Sequence, residues 1–332
     1  MNLNKLKEFS EKIKIINDFK FIDYLRFGTK NKGIYILIDD NIKYIFKIIP
    51  YLTDINIIEE ITNSLIENKI CIHFNYYIGS INNHFLLKNQ KAIIYEYIQP
   101  WIYNEFKIIS VFELFANKVI YFLMKKEFFN NVIYNIIFQV LYSLKCLEKY
   151  RINHNDLNLG NILLQNDFNN INTFDKYTIN NKSFFVPNYG FRIKIIDYGV
   201  SCGDNNKNSE TVGLEFCGIY GIYSKYYDTH KFLNGIYNSY IYLLNFLNID
   251  KDNKIINLIK KIIPMKYIGF HRYNINLSEY ETLKYPFKYN DVIVPNYSYN
   301  EVNDILTLDE IFELFDEYQI EQNIINSYEI KY

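Results

Sequence analysis

Two carboxylates and an amide stand at a spacing suited to metal-assisted phosphoryl transfer. Asp156 and Asn161 lie in the run His154-Asn155-Asp156-Leu157-Asn158-Leu159-Gly160-Asn161-Ile162-Leu163-Leu164, and Asp197 follows in Ile195-Ile196-Asp197-Tyr198-Gly199. Such a transfer needs a carboxylate that orients an incoming hydroxyl and accepts its proton, and oxygen ligands that hold a divalent cation on nucleotide phosphates. Asp156 suits the first task, and Asn161 and Asp197 suit the second.

These groups must be placed by the elements around them. Apolar residues Ile133, Ile136, Ile137, Val140, Leu141, Leu144 and Leu147 recur at helical spacing, so a helix over 131–150 is expected to deliver the chain to His154. A strand over 162–164 then leads away from Asn161, and another over 191–196 leads into Asp197. Between them, 166–181 is polar and Asn-rich, and an insertion at the surface over about 165–183 is expected.

Upstream, Gly28 and Gly33 bracket Thr29-Lys30-Asn31-Lys32, and with only 12 glycines in the chain each one marks backbone with a special task. A strand over 34–38, the turn signal Asp39-Asp40-Asn41 and a second strand over 43–49 follow. Lys47 falls inside that second strand, where a cation is costly to desolvate unless it meets an anion. Residues 55–66 have the apolar spacing of a helix with Thr53 or Asp54 as N-cap, and Glu60 is the expected partner of Lys47, ahead of Glu59 and Glu67. Residues 73–78 and 92–98 read as further strands, and 104–130 as helical.

Taken in order, these motifs resemble the protein kinase superfamily. The spacing H-x-D-x-x-x-x-N and the later D-x-G match its catalytic and metal loops, and Tyr44-Ile45-Phe46-Lys47 matches its V-A-I-K strand. The likeness is nearest to divergent serine/threonine-like kinases of large DNA viruses. It implies an α+β, bilobal fold: a helical extension over 1–20, a β-rich N-lobe over 21–98 with one key helix, and a mainly helical C-lobe over 99–332. It implies ATP with Mg²⁺, or Mn²⁺ in its place. The phosphates would lie under Gly28, Gly33 and Tyr35, the last at the closing position of the glycine loop, with Lys47 held by Glu60. Adenine would meet backbone groups from Glu96 to Ile98, Asn161 and Asp197 would hold the metal, and Asp156 would serve the acceptor, a hydroxyl of a protein substrate. Asp228 resembles the buried aspartate that holds the catalytic-loop backbone, and His154 and Tyr198 are expected to stack.

The chain also departs from that pattern. Lys30 stands at the middle glycine, Asn158 replaces the lysine of the usual serine/threonine loop, and no A-P-E follows. Asn155 replaces the arginine that pairs with a phosphorylated activation loop, so activity independent of such phosphorylation is expected. Small-molecule phosphotransferases of kinase-like fold share H-x-D-x-x-x-x-N, often with a glycine before the Asn as at Gly160, and a nucleotide-binding pseudokinase scaffold is a third reading.

Composition sets outer limits. Among 332 residues the formal net charge is −1, which gives no general electrostatic footprint for nucleic acid or an anionic membrane. Hydrophobic residues make up 49%, enough for a large core, yet no stretch approaches the ~20 apolar residues of a membrane helix. Cys71, Cys146, Cys202 and Cys217 lie far apart with no C-x-x-C pair, so a reducing, intracellular setting is expected rather than a zinc site or disulfide framework. Thr307-Leu308-Asp309-Glu310 reads as a capping box opening a helix to about Tyr318.

Overall fold

A computed structural model of the chain describes residues 20–26, 33–39, 42–49, 53–81, 91–203, 223, 225–249, 253–264, 268, 287–288, 292–293, 305–322 and 324–330. Of the expected helix over 1–20, residues 1–19 lie outside these residues, as do Gly28 and Lys30, and Lys20 opens a strand.

Alternating β-branched and aromatic residues build the first part of the molecule. Strands β1 (Lys20–Arg26), β2 (Gly33–Asp39), β3 (Ile42–Ile49), β4 (Tyr77–Ile81) and β5 (Lys91–Glu96) form one antiparallel sheet in the order β1-β2-β3-β5-β4. Cross-strand partners share a face of the sheet, so register decides which side chains meet. Ile34 faces Lys47, whereas Tyr35 faces Phe46. Helix α1 (Thr53–Ile61) continues into a π-helical turn, Thr62–Ile66, and buries Ile57, Ile58, Ile61 and Leu65. Of residues 73–78, expected to form a strand, 73–76 contribute a single bridge from Phe74 to Ile195, and β4 begins at Tyr77.

The second part is α+β with a dominant helical core. Residues 104–130 are not helical throughout: β6 (Trp101–Tyr103) and β7 (Phe106–Ile108) form a hairpin before α2 (Val111–Ala116). Asn104 and Glu105 take φ of 45° and 71°, the left-handed geometry that a two-residue hairpin turn requires. Helix α3 (Lys118–Lys149) bends at Lys125, and every residue from Val132 to Leu147 is buried. A helix apolar on all sides is the axis of a core. Here the aromatic cluster Phe138, Tyr177, Phe184, Phe312 and Phe315 packs around it.

The supposed surface insertion is structured. Strands β10 (Phe174–Ile179) and β11 (Lys182–Pro187) pair as a hairpin, and the strand Ile324–Glu329 joins β10 in parallel. Asp175, Tyr177 and Ile179 point inward and are buried, a period-two pattern that the Asn content of the segment obscured. The capping box at Thr307 and Glu310 forms, but its helix ends at Phe312 and a 3₁₀ turn, Asp316–Gln319, takes over. Among the described residues no helix is long and apolar enough to cross a membrane, and Cys71, Cys146 and Cys202 are reduced and buried. Cys217 lies outside the described residues.

Candidate active site

The loop that carries Asp156 is suspended between three elements. Strand β8 (Ile152–Asn153) pairs with β13 (Cys202–Gly203), and β9 (Ile162–Asn166) pairs with β12 (Phe191–Ile195). Between β8 and β9 the backbone is held by helix α4 (Tyr227–Leu247). Its buried Asp228 accepts from His154 N at 2.7 Å and Asn153 Nδ2 at 3.1 Å through one oxygen, and from Asn155 N at 2.9 Å through the other. Asp228 thus does what the resemblance implied. Asn155 sits at φ 65°, a left-handed conformation that Asn tolerates better than most residues.

Asn161 and Asp197 come together through the backbone. Ile196 N donates to Asn161 O at 3.0 Å, which ties the end of the first loop to the residue before Asp197. Asn161 Nδ2 donates to Asp156 O at 2.8 Å and to Asp156 Oδ2 at 3.3 Å. Asp197 itself has φ 69°, a left-handed backbone conformation just beyond the end of β12. His154 Nε2 lies 2.8 Å from Ile196 O, and its ring meets Tyr198 at 5.0 Å with a 52° tilt rather than in a stack.

Lys47 closes the arrangement from the other side. Its ammonium donates to Asp197 Oδ1 at 2.7 Å, across 150 positions of sequence, with Lys47 only 9% exposed and Asp197 37% exposed at the side chain. A cavity of about 520 Å³ opens over this pair, within the range of small-molecule sites. Its apolar walls include Ile34, Ile45, Ile98, Leu163 and Ile196, and its polar lining includes Lys47, Asn161 and Asp197. Gly33 opens β2 opposite Ile48, and Glu60 is half-buried on α1 where Glu59 is exposed.

One of the expected nucleotide contacts is placed elsewhere. Tyr35 packs edge-on to Phe46, 6.3 Å between ring centroids, on the sheet face away from Lys47, and Ile34 takes the wall position instead. A one-residue difference along a strand changes the face, which explains the displacement. Of the stretch from Glu96 to Ile98, Tyr97 and Ile98, just after β5, line the cavity. The Glu96 carboxylate is buried, accepting from Lys194 Nζ at 2.6 Å and Tyr76 N at 3.1 Å, and its own N–H donates to Tyr76 O at 3.1 Å.

That buried pair, and the cation Lys231, were not singled out from the sequence. Lys194 alternates with Ile193 and Ile195 in an apolar strand, the same signal that marked Lys47. Lys231 stands three residues after Asp228 on the same helix, the spacing that puts two side chains on one face. It reaches Asp156 Oδ1 at 3.0 Å. Close to Lys194, His73 is fully buried with Nε2 2.9 Å from Tyr177 Oη. Its pKa is pushed down to about 3, by burial above all and then by Arg192 and Lys194, so the ring is neutral.

The donor set fits a nucleotide with its divalent cation. Among the described residues no group of three or more His, Cys, Asp or Glu side chains could hold a metal unaided. Mg²⁺ bound through one carboxylate, an amide oxygen and substrate phosphates needs no such group. Asp197 and Asn161 supply the first two.

Comparison with known proteins agrees with the motifs. No family model matches the chain. A protein of Acanthamoeba polyphaga mimivirus assigned to the serine/threonine-protein kinases is 28% identical over 183 residues, 50% of this chain and 38% of that protein. One of Invertebrate iridescent virus 6, with the same assignment, is 35% identical over 74 residues, 22% of this chain and 14% of its own. The chain shows distant homology to these viral proteins. Its match spans well under two thirds of either relative's length. Among solved structures, a kinase domain aligns with TM-score 0.39 at 17% identity over 90% of this chain and 86% of that one. A Cydia pomonella granulovirus kinase aligns with TM-score 0.38 at 18% identity over 59% and 58%.

Proposed function

We propose that this chain is an ATP-dependent protein kinase that transfers the γ-phosphoryl group to a Ser or Thr hydroxyl of a protein substrate. The observation that carries the reading is the 2.7 Å contact between Lys47 and Asp197 on the wall of an apolar cavity that Asn161 also lines. A strand lysine and a D-x-G aspartate that meet on the wall of an open cavity are placed to serve an anionic ligand and its counter-ion. In this reading the boundary at about residue 98 separates two lobes with the nucleotide between them.

Each residue has a task that follows from its chemistry. Ile34, Ile45, Ile98 and Leu163 enclose the base, with backbone groups after β5 as hydrogen-bond partners. Gly33, with Gly28, lets backbone approach the phosphates. Lys47 neutralises phosphate charge, and Glu60 holds the lysine when Asp197 turns to the metal. Asn161 and Asp197 hold Mg²⁺, which when bound neutralises the charge that develops on the phosphates. Asp156 accepts a hydrogen bond from the acceptor hydroxyl and takes its proton as the oxygen attacks.

The test has two stages. Mg·ATP must raise the melting temperature, since a ligand that binds only the folded state stabilises it by mass action. An in vitro phosphorylation screen with radiolabelled ATP, over protein and small-molecule acceptors, should then label proteins with wild type and not with Asp197→Ala. Asp156→Ala should lower turnover by about 10²-fold or more while sparing nucleotide binding. Label on small molecules alone would replace the protein kinase with a small-molecule phosphotransferase. Nucleotide binding without any transfer would leave a scaffold.

A further inference from the structure

The side chain of Asp156 is 40% exposed, so solvent alone would leave its carboxylate to turn among rotamers. A general base is useful only in one orientation. Asn161 Nδ2 restrains Oδ2 at 3.3 Å, a long contact from a neutral donor. The stronger restraint is Lys231 Nζ, 3.0 Å from Oδ1. Positions 154–164 contain no Lys or Arg. Asn158 spends its amide locally, accepting from Gly160 N at 2.9 Å and donating to Asp156 O at 3.3 Å.

Lys231 is itself well fixed. Its side chain is 12% exposed, and Nζ also donates to Asn155 O at 3.1 Å, an oxygen that accepts from Tyr227 Oη at 3.3 Å as well. The first turns of α4 therefore grip the loop twice, Asp228 by its backbone and Lys231 by its carboxylate. A solvated ion pair would be worth little. This one is largely covered on the lysine side and shares its cation with a backbone carbonyl.

We infer that Lys231 is a positioning residue of this site, supplying from helix α4 the cation that the loop lacks and holding Asp156 in its working orientation. The cation also offsets the repulsion between the Asp156 carboxylate and an incoming anionic phosphoryl group. The inference rests on the phosphoryl transfer proposed above, and its test separates the two.

Steady-state release of ADP from Mg·ATP, with casein present as a general acceptor, is measured for wild type, Lys231→Met, Lys231→Gln, Lys231→Arg, Asp156→Asn and the Asp156→Asn/Lys231→Met double variant. The Met and Gln variants should lose about 10- to 100-fold in kcat while KM for ATP and the melting shift with Mg·ATP stay within about twofold, because only the base is misaligned. Arg, which keeps the charge, should recover most of the loss. In the Asp156→Asn background Lys231→Met should cost nothing further, because its effect passes through Asp156. Wild-type kcat in both neutral variants, or the same loss with Asp156 already replaced, overturns the inference while the kinase reading stands. A wild type that binds Mg·ATP without turnover overturns the proposed function, and this inference falls with it. Carrying Met and Gln together keeps a folding defect in one from deciding the result.

Discussion

Lys194→Met is the sharpest probe of what holds the sheet to the helical part. Lys194 and Glu96 are 5% and 4% exposed and 2.6 Å apart, one in the strand that leads to Asp197 and the other at the end of the strand that leads to Tyr97 and Ile98. Replacing the lysine leaves a buried carboxylate with one remaining described donor, Tyr76 N. Breaking a buried pair from one side typically costs about 3–5 kcal/mol, whereas replacing both partners with apolar residues is often near neutral. Lys194→Met alone should therefore lose about 3–5 kcal/mol in urea denaturation, and Lys194→Met/Glu96→Leu much less than the sum of its single variants. The double variant still strands Tyr76 N and Phe74 O, which Lys194 meets at 3.1 Å, so a residual loss of about 1–3 kcal/mol is expected. Additive losses, or a single-variant loss below about 1 kcal/mol, would show that the pair is not desolvated and would refute the reasoning. Isothermal titration with Mg·ATP on the double variant should also show weaker binding, since the pair sets where Tyr97 and Ile98 stand in the cavity wall.

Three further outcomes follow from named contacts. Asp228→Ala removes the acceptor shared by two buried backbone N–H groups and the Asn153 amide, and should cost about 3–5 kcal/mol by chemical denaturation, with Asp228→Asn intermediate; a loss under about 1 kcal/mol would contradict the suspended-loop account. His73 is neutral in the fold because its pKa is about 3, against 6.5 unperturbed. The unfolded chain then binds the extra proton, and stability should fall as pH drops below about 6.5, by up to ~1.4 kcal/mol per pH unit, an acid slope that His73→Gln should flatten. Asn155 Nδ2 donates to Val200 O at 2.9 Å and to Cys202 Sγ at 3.2 Å, and Ser201 Oγ donates to His154 O at 3.0 Å. These contacts pin the segment after Asp197 without a phosphate, so phosphatase treatment should leave turnover within about twofold, and a loss beyond about tenfold would disprove it.

The parts of this molecule that local rules govern were legible in the sequence. Lys47, Asp156, Asn161 and Asp197 each announced themselves by a chemical cost or a spacing, and the helix leading to His154 by its period. Apart from the local β6–β7 hairpin, which overlaps a stretch read as helical, what escaped was set by distant partners. Tyr35 and Ile34 differ by one position, and only the β2–β3 register assigns one of them to the cavity. Polar content over 166–181 concealed a strand whose inward side chains pack against Phe138 and the C-terminal strand, a match that no local window contains.

Charged residues inside apolar strands are where the two kinds of information meet. Lys47 and Lys194 carry the same local signal, a cation between apolar neighbours, and the same energetic demand for an anion. For Lys47 the described contact is Asp197, 37% exposed and on the cavity. For Lys194 it is Glu96, buried and off the cavity wall. The difference between a site lysine and a structural one therefore lies in the solvent exposure of the partner carboxylate, because only an exposed carboxylate can exchange the lysine for an incoming cation. The same criterion separates Asp156, 40% exposed beneath Lys231, from Asp228, buried and committed to three donors on the loop it supports.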